Sequence, residues 1–87
     1  MSKKLYVGNI PWGVDDAILF DLFKSIGGVD KAWIITDKVT GRSRGFGFVI
    51  MANEQDADLA MERLNGEVLG DREIIVNEAV ERPVLRT

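Results

Sequence analysis

The stretch Arg44 to Met51, RGFGFVIM, constrains the fold of this chain more than any other. In a β-strand, side chains alternate between faces, so Arg44, Phe46, Phe48 and Ile50 share one side while Gly45, Gly47, Val49 and Met51 share the other. Both sides carry apolar residues. Val49 and Met51 suit a core, which leaves two rings and a guanidinium on the opposite side. A strand buried on both faces of a larger sheet is the bland alternative. The rest of the chain has to decide between the two.

Eighty-seven residues make one small domain, enough for two helices against a sheet. Cysteine and histidine are both absent. Disulfides, thiolate metal sites and a zinc centre are therefore excluded. No window approaches the ~20 apolar residues of a membrane span, and Met1-Ser2-Lys3-Lys4 leads straight into a strand without a signal-peptide core. The expectation is a soluble, cytoplasmic protein without a membrane partner, with a nuclear fragment as the alternative. The net charge is −3, but it is unevenly spread. Residues 15–26 carry −2 and residues 53–65 carry −3, whereas the charges of the first half outside that first segment sum to +4.

Along the chain, Leu5 to Ile10 alternates as a first strand and Pro11 stops it. Asp15 is placed to cap a helix whose apolar stripe is Leu19, Leu22, Phe23 and Ile26, with Gly27-Gly28 as a left-handed stop. Val29 to Thr36 is a second strand, with Trp33 and Ile35 on one face. The polar loop Asp37 to Ser43 turns at Gly41 into RGFGFVIM, so these two strands pair as a hairpin. Asn53 caps a second helix with Ala57, Ala60, Met61 and Leu64 as its stripe, and Asn65-Gly66 ends it. Gly70 and Asp71 turn the chain into a fourth strand, Glu73 to Asn77. Residues 1–79 form the domain, and residues 80–87 are a short C-terminal tail expected to be mobile or on the surface.

The order βαββαβ predicts an α+β fold of the ferredoxin-like kind, a four-stranded antiparallel sheet with two helices on one face. Right-handed crossovers put the first and third strands side by side at the centre. Tyr6 then joins Phe46 and Phe48 on the face the helices leave open. Three rings there exceed what an internal core requires. Aromatic faces stack on bases and guanidinium groups pair with phosphates, so the chemistry points to a single-stranded nucleic acid.

These residues resemble the RNA recognition motif family over roughly Lys3 to Ala79. Arg44 to Met51 is similar to the family octamer [KR]-G-[FY]-[GA]-F-V-x-[FY] at all but its last position, where Met51 replaces an aromatic. Leu5 to Ile10 resembles the family's first-strand hexamer, and the loop D-x-x-T-G-x-S, Asn65-Gly66 and Arg72-x-Ile-x-Val complete the likeness. The resemblance implies that Tyr6 and Phe48 each stack on a base, that Phe46 lies near the sugars, and that Arg44 neutralises the phosphate between them. It also implies that Asn77, Glu78 and Ala79 follow the last strand and read base edges with backbone groups. Single-stranded DNA is an alternative ligand. No cofactor is implied.

Where many relatives carry polar groups, this chain has Trp33, Ile35, Ile50 and Ile75. Trp33 can serve as a fourth stacking group, while the isoleucines offer no hydrogen bond to a base. They motivate a second reading, a protein partner or self-association through Trp33, Ile35 and Ile75. Lys4 and Arg42 are expected at the rim of the ring face, steering phosphates, while Lys3, Lys31 and Lys38 read as solvated charges. Trp12 is expected to cover the edge between helix and sheet. Catalysis has little to work with. The serines have no base beside them, Gly41 and Gly45 lack the Lys-[Ser/Thr] of a phosphate loop, and Asp56-x-Asp58 lacks the rest of a calcium loop. The chain is read as a non-enzyme.

Overall fold

The structure, a computed structural model, describes residues 2–79. The tail at residues 80–87 lies outside the described residues. The chain forms β1 (Lys3–Gly8), α1 (Asp16–Lys24), β2 (Val29–Thr36), β3 (Ser43–Met51), α2 (Glu54–Leu64), β4 (Val68–Leu69), β5 (Arg72–Glu73) and β6 (Ile75–Glu78). The main sheet has the order β2-β3-β1-β6 and every neighbouring pair is antiparallel. The expected ferredoxin-like architecture is therefore present, with β3 and β1 at its centre.

Alternation decides which residues enter the core. Leu5 and Val7 from β1, Val49 and Met51 from β3, and Ile74 and Val76 around the start of β6 are all essentially inaccessible. They meet Leu19 and Phe23 of α1 and Ala57, Ala60 and Leu64 of α2. Burying each large aliphatic or aromatic side chain contributes roughly 1.5–3 kcal/mol, so this one layer carries the fold. Met51 is fully buried. The octamer's departure at that position is accordingly a core substitution, remote from the open face.

The caps expected from the sequence are in place. The Asp15 carboxylate accepts from the Ile18 N–H at 2.9 Å, and the Asn53 side chain accepts from the Asp56 N–H at 2.8 Å. Asp16 does more than favour the positive end of α1: its carboxylate accepts from the Ile34 N–H at 2.7 Å and so ties the helix to β2. Asn65 accepts from the Val76 N–H at 3.0 Å and positions β6.

Several boundaries differ from expectation. β1 ends at Gly8, because Asn9 adopts a left-handed backbone (φ 55°) and donates its side-chain amide to the Glu73 carbonyl. Glu73 does not begin the fourth strand. It pairs with Val68 in a small β4–β5 hairpin, and the edge strand runs from Ile75 to Glu78. The left-handed residue of that hairpin turn is Gly70 rather than Asp71. Gly27 and Gly28 are not left-handed either. α1 ends through the Ile26 and Gly27 N–H groups, both donating to the Phe23 carbonyl. Gly27 answers a need for space, since a side chain there would collide with the Asp56 carboxylate, which accepts from the Gly28 N–H.

Candidate nucleic-acid interface

Backbone register assembles the open face. Trp33 pairs with Phe48, Phe48 with Tyr6, and Tyr6 with Asn77, so one row crosses all four strands. Strand alternation turns all four side chains away from the helices. Ring centroids lie 5.7 Å apart for Trp33 and Phe48 and 6.0 Å for Phe48 and Tyr6. Phe46 stands 5.8 Å from Tyr6 and 6.2 Å from Phe48, edge-on to the latter. All four rings are partly exposed although no helix lies over them. Such contacts hold ring orientation and leave faces for a flat ligand.

The Tyr6 ring lies over Gly8. A methyl group at Gly8 would come within 2.7 Å of the Tyr6 hydroxyl oxygen and 2.8 Å of its ring edge. Gly47 supports the row from the other side. A methyl group there would strike the Trp33 carbonyl and lie 3.0 Å from the Ile34 Cα, so β2 and β3 approach as they do only with glycine at this position.

A second outward row lies beside the rings, formed by Lys31, Ile50 and Lys4 in register. The Lys4 ammonium is 4.7 Å from the Phe48 ring centroid and 5.6 Å from that of Trp33, and the Lys31 ammonium is 5.0 Å from Trp33. Lys31, expected to be a plain solvated charge, thus belongs to the ring cluster. The signal was present in the sequence, since Lys31 and Trp33 share a strand face. Lys3, one residue before Lys4, faces the other way and bonds Asp58 of α2 at 2.8 Å. That bond, with the nearby Glu78 charge, raises its pKa.

The loop before β3 explains the D-x-x-T-G pattern. The Asp37 carboxylate accepts from the Val39 and Thr40 N–H groups at 2.8 and 3.1 Å, and the Asp37 backbone pairs with Gly41 and Arg42. Thr40 accepts from the Arg42 N–H, and Gly41 takes a left-handed backbone (φ 76°). The two backbone N–H groups, with a smaller contribution from the Arg44 charge, hold the Asp37 carboxyl below its usual pKa. Arg44 itself is exposed at the mouth of this loop, beside the irregularity in β3 where Gly45 takes a left-handed backbone (φ 85°).

Six of the expected site residues, Tyr6, Phe46, Phe48, Trp33, Lys4 and Asn77, are gathered on this face. Arg42 is exposed in the loop, at the opposite end of the sheet from Lys4, which is paired with Ile50. From Ser43 to Ile50 is about 23 Å at ~3.3 Å per residue. The two cations bracket the platform. Asn77 and Glu78 lie within β6, not after it, and the Ala79 N–H donates to the Lys4 carbonyl at 2.9 Å. The Asn77 side chain, rather than the Ala79 N–H, is what this edge presents. Ile35 and Ile50 are half-buried beside the rings, and Ile75 is 45% exposed. Trp12 is 63% exposed and lines a cleft with Asp15 and Asp16 at the start of α1 and Ile34 and Thr36 of β2, so it borders the edge between helix and sheet without being buried there. Among the described residues no acidic cluster is arranged to hold a metal ion.

The fold and its exposed ring face define an RNA-binding class of βαββαβ domain. The chain belongs to the RNA recognition motif family, whose model matches residues 5–75. It is 52% identical over 81 residues to a 31 kDa chloroplastic ribonucleoprotein of Nicotiana sylvestris, covering 93% of this chain and 26% of that protein. A crystal structure of RNA Binding Protein PG1 superposes with a TM-score of 0.87 at 46% identity, covering 94% of this chain and 99% of the other. The RRM of Rna15 with bound RNA (GU) superposes with a TM-score of 0.82 at 27% identity, covering 93% and 86%. The chain spans between 26% and 60% of the length of the first curated relatives it matches.

Proposed function

We propose that this chain binds single-stranded RNA by stacking bases on the open face of its sheet, with Tyr6 and Phe48 each taking one base and Phe46 lying against the sugars. Arg44 neutralises the phosphate between the two bases, and the Asn77 amide offers hydrogen bonds beside Tyr6. Lys4 and Arg42 draw the strand in from the two ends. The observation that carries this reading is the register of Tyr6 opposite Phe48, which sets two rings 6.0 Å apart on a face that no helix covers. Each base–ring stack is worth about 1–3 kcal/mol, enough for binding by two stacks and a few charge contacts without a strongly basic surface. Single-stranded DNA, which presents the same faces and phosphates, is an expected weaker ligand wherever a ribose hydroxyl is contacted.

The role is binding without catalysis, supported by the absence of histidine and cysteine and by the names of the RNA-binding relatives. The cytoplasmic location expected from the sequence gives way in this reading to an organellar one, which the chloroplastic and mitochondrial labels of those relatives support. The test is a binding titration with mixed-sequence RNA. Micromolar or tighter binding that Tyr6→Ala weakens at least fivefold supports the reading, and equal affinity for the two proteins overturns it.

A further inference from the structure

We propose that the cleft beside Trp12 receives an arginine side chain from a protein partner, its guanidinium stacked on the indole and paired with Asp15 and Asp16. The proposal goes beyond the RNA-binding reading and uses none of the residues that carry it. The cleft measures about 420 Å³, toward the small end of the roughly 300–1,000 Å³ of ligand sites, which suits one side chain with its flanking backbone. It lies where three segments meet: the turn bearing Trp12, the start of α1 with Asp15 and Asp16, and Ile34, Thr36 and Ser43 of β2 and β3. Trp12 stands in a turn that the Val14 N–H closes by donating to the Pro11 carbonyl at 3.2 Å. Packing does not account for an indole left so exposed there. Ile34 is buried on the core side of β2, whereas its neighbour Trp33 belongs to the ring face, so the cleft lies apart from the RNA platform.

Charge selects the occupant. Asp15 Oδ1 accepts from the Ile18 N–H at 2.9 Å and Asp16 Oδ1 from the Ile34 N–H at 2.7 Å, which fixes both carboxylates and leaves the Oδ2 of each for a ligand. Among the described residues neither carboxylate has an ion-pair partner. Arg42 lies between the lining residues Gly41 and Ser43 without itself lining the cleft. Two neighbouring carboxylates repel a phosphate, and a purely apolar segment would cover them without compensation. A guanidinium meets both demands. It is flat and weakly hydrated, stacks on an aromatic face, and has donors enough to serve two carboxylates at once. The aliphatic stem of the same side chain finds apolar surface at Ile34. Lysine, whose ammonium is compact and strongly hydrated, fits less well.

The experiment titrates the full chain, isotope-labelled for NMR, with the acetylated and amidated peptide Gly-Gly-Arg-Gly-Gly and follows the indole N–H signals of its two tryptophans. The expected result is saturable millimolar binding that moves the Trp12 indole and the Ile34 amide and leaves the Trp33 indole in place, with the lysine peptide about fivefold weaker. Asp15→Asn with Asp16→Asn keeps an acceptor for each backbone N–H while removing both charges, and should weaken binding about tenfold. Trp12→Ala should do the same, and Trp12→Phe should recover most of the loss. Asp21→Asn, an exposed charge outside the cleft, should change affinity by less than about twofold. Absence of saturation, equal affinity for the arginine and lysine peptides, or unchanged affinity in the double asparagine variant overturns the site. A mixed-base hexaribonucleotide that moves the Trp12 indole where the peptide does not overturns the choice of partner. The peptide is titrated without RNA, so its failure leaves the Tyr6 and Phe48 stacks standing.

Discussion

Tyr6 of β1 and Phe48 of β3 are direct cross-strand partners, with ring centroids 6.0 Å apart and planes inclined at 67°. Neither ring contributes to the buried layer between sheet and helices. Function and folding therefore draw on opposite sides of the same two strands, and substitutions can separate them.

Replacing Phe46 and Phe48 together by alanine should abolish measurable RNA binding at micromolar protein. The cross-strand ring contacts are worth about 0.2–1 kcal/mol each, so the double variant should still fold cooperatively with a modestly lower Tm. Calorimetric titration and thermal melts read the two effects separately. Unchanged affinity in a folded variant would remove the stacking mechanism.

Two glycine substitutions should part in the same way. Gly8→Ala pushes on the Tyr6 ring, which can rotate aside, so RNA affinity should fall severalfold with little change in stability. Gly47→Ala pushes on the backbone of β2 at Trp33 and Ile34, which cannot move without opening the sheet. It should cost about 1–3 kcal/mol of stability. Comparable melts for both variants would contradict the assignment.

Asp37 gives a pH prediction. Its carboxyl is held below the usual 3.8 by the N–H groups of Thr40 and Val39 and, to a lesser extent, by Arg44. A carboxyl with a depressed folded pKa stabilises the fold fully above the unfolded value, and that contribution disappears as pH falls through the folded one. Loop order should thus be constant near neutrality and fall below about pH 4, whereas Asp37→Ala should lack this acid-side component. Amide exchange at Val39 and Thr40 across that window is the measurement. Protection that is equal at pH 3 and pH 6 would exclude the mechanism.

Salt dependence tests the small number of cations. With Arg44, Lys4 and Arg42 at phosphates, log affinity should fall against log salt with a slope of about −2, from ~0.7 per contact on a single strand. Arg42→Ala should make the slope shallower by ~0.7. A slope steeper than about −4 would mean that cations beyond these three take part.

How much of this was legible in advance depended on whether a pattern was local. Alternation in RGFGFVIM and LYVGNI assigned Tyr6, Phe46 and Phe48 to one face, and the βαββαβ order brought the strands together, because both rest on short periodicities. The caps at Asp15 and Asn53 follow from single residue types. What escaped was set by contacts distant in sequence. Asn9 ends β1 because Glu73 waits for its amide, and Glu73 leaves the edge strand because Val68 pairs with it. Gly27 shows the same limit, since a turn signal turned out to be clearance for Asp56.

The consecutive lysines at the start of β1 point to opposite sides of the sheet: Lys3 is fastened to Asp58 on α2, and Lys4 stands among the rings. The helices behind the sheet carry a net negative charge (Asp16, Asp21, Glu54, Asp56, Asp58 and Glu62 against Lys24 and Arg63), while Lys4, Lys31, Arg42 and Arg44 lie in β1, β2, the loop after it and β3. The molecule is in consequence an electric dipole whose axis runs through its thin dimension. A polyanion arriving from the rear is repelled, and one arriving from the front is turned into line before it makes any contact.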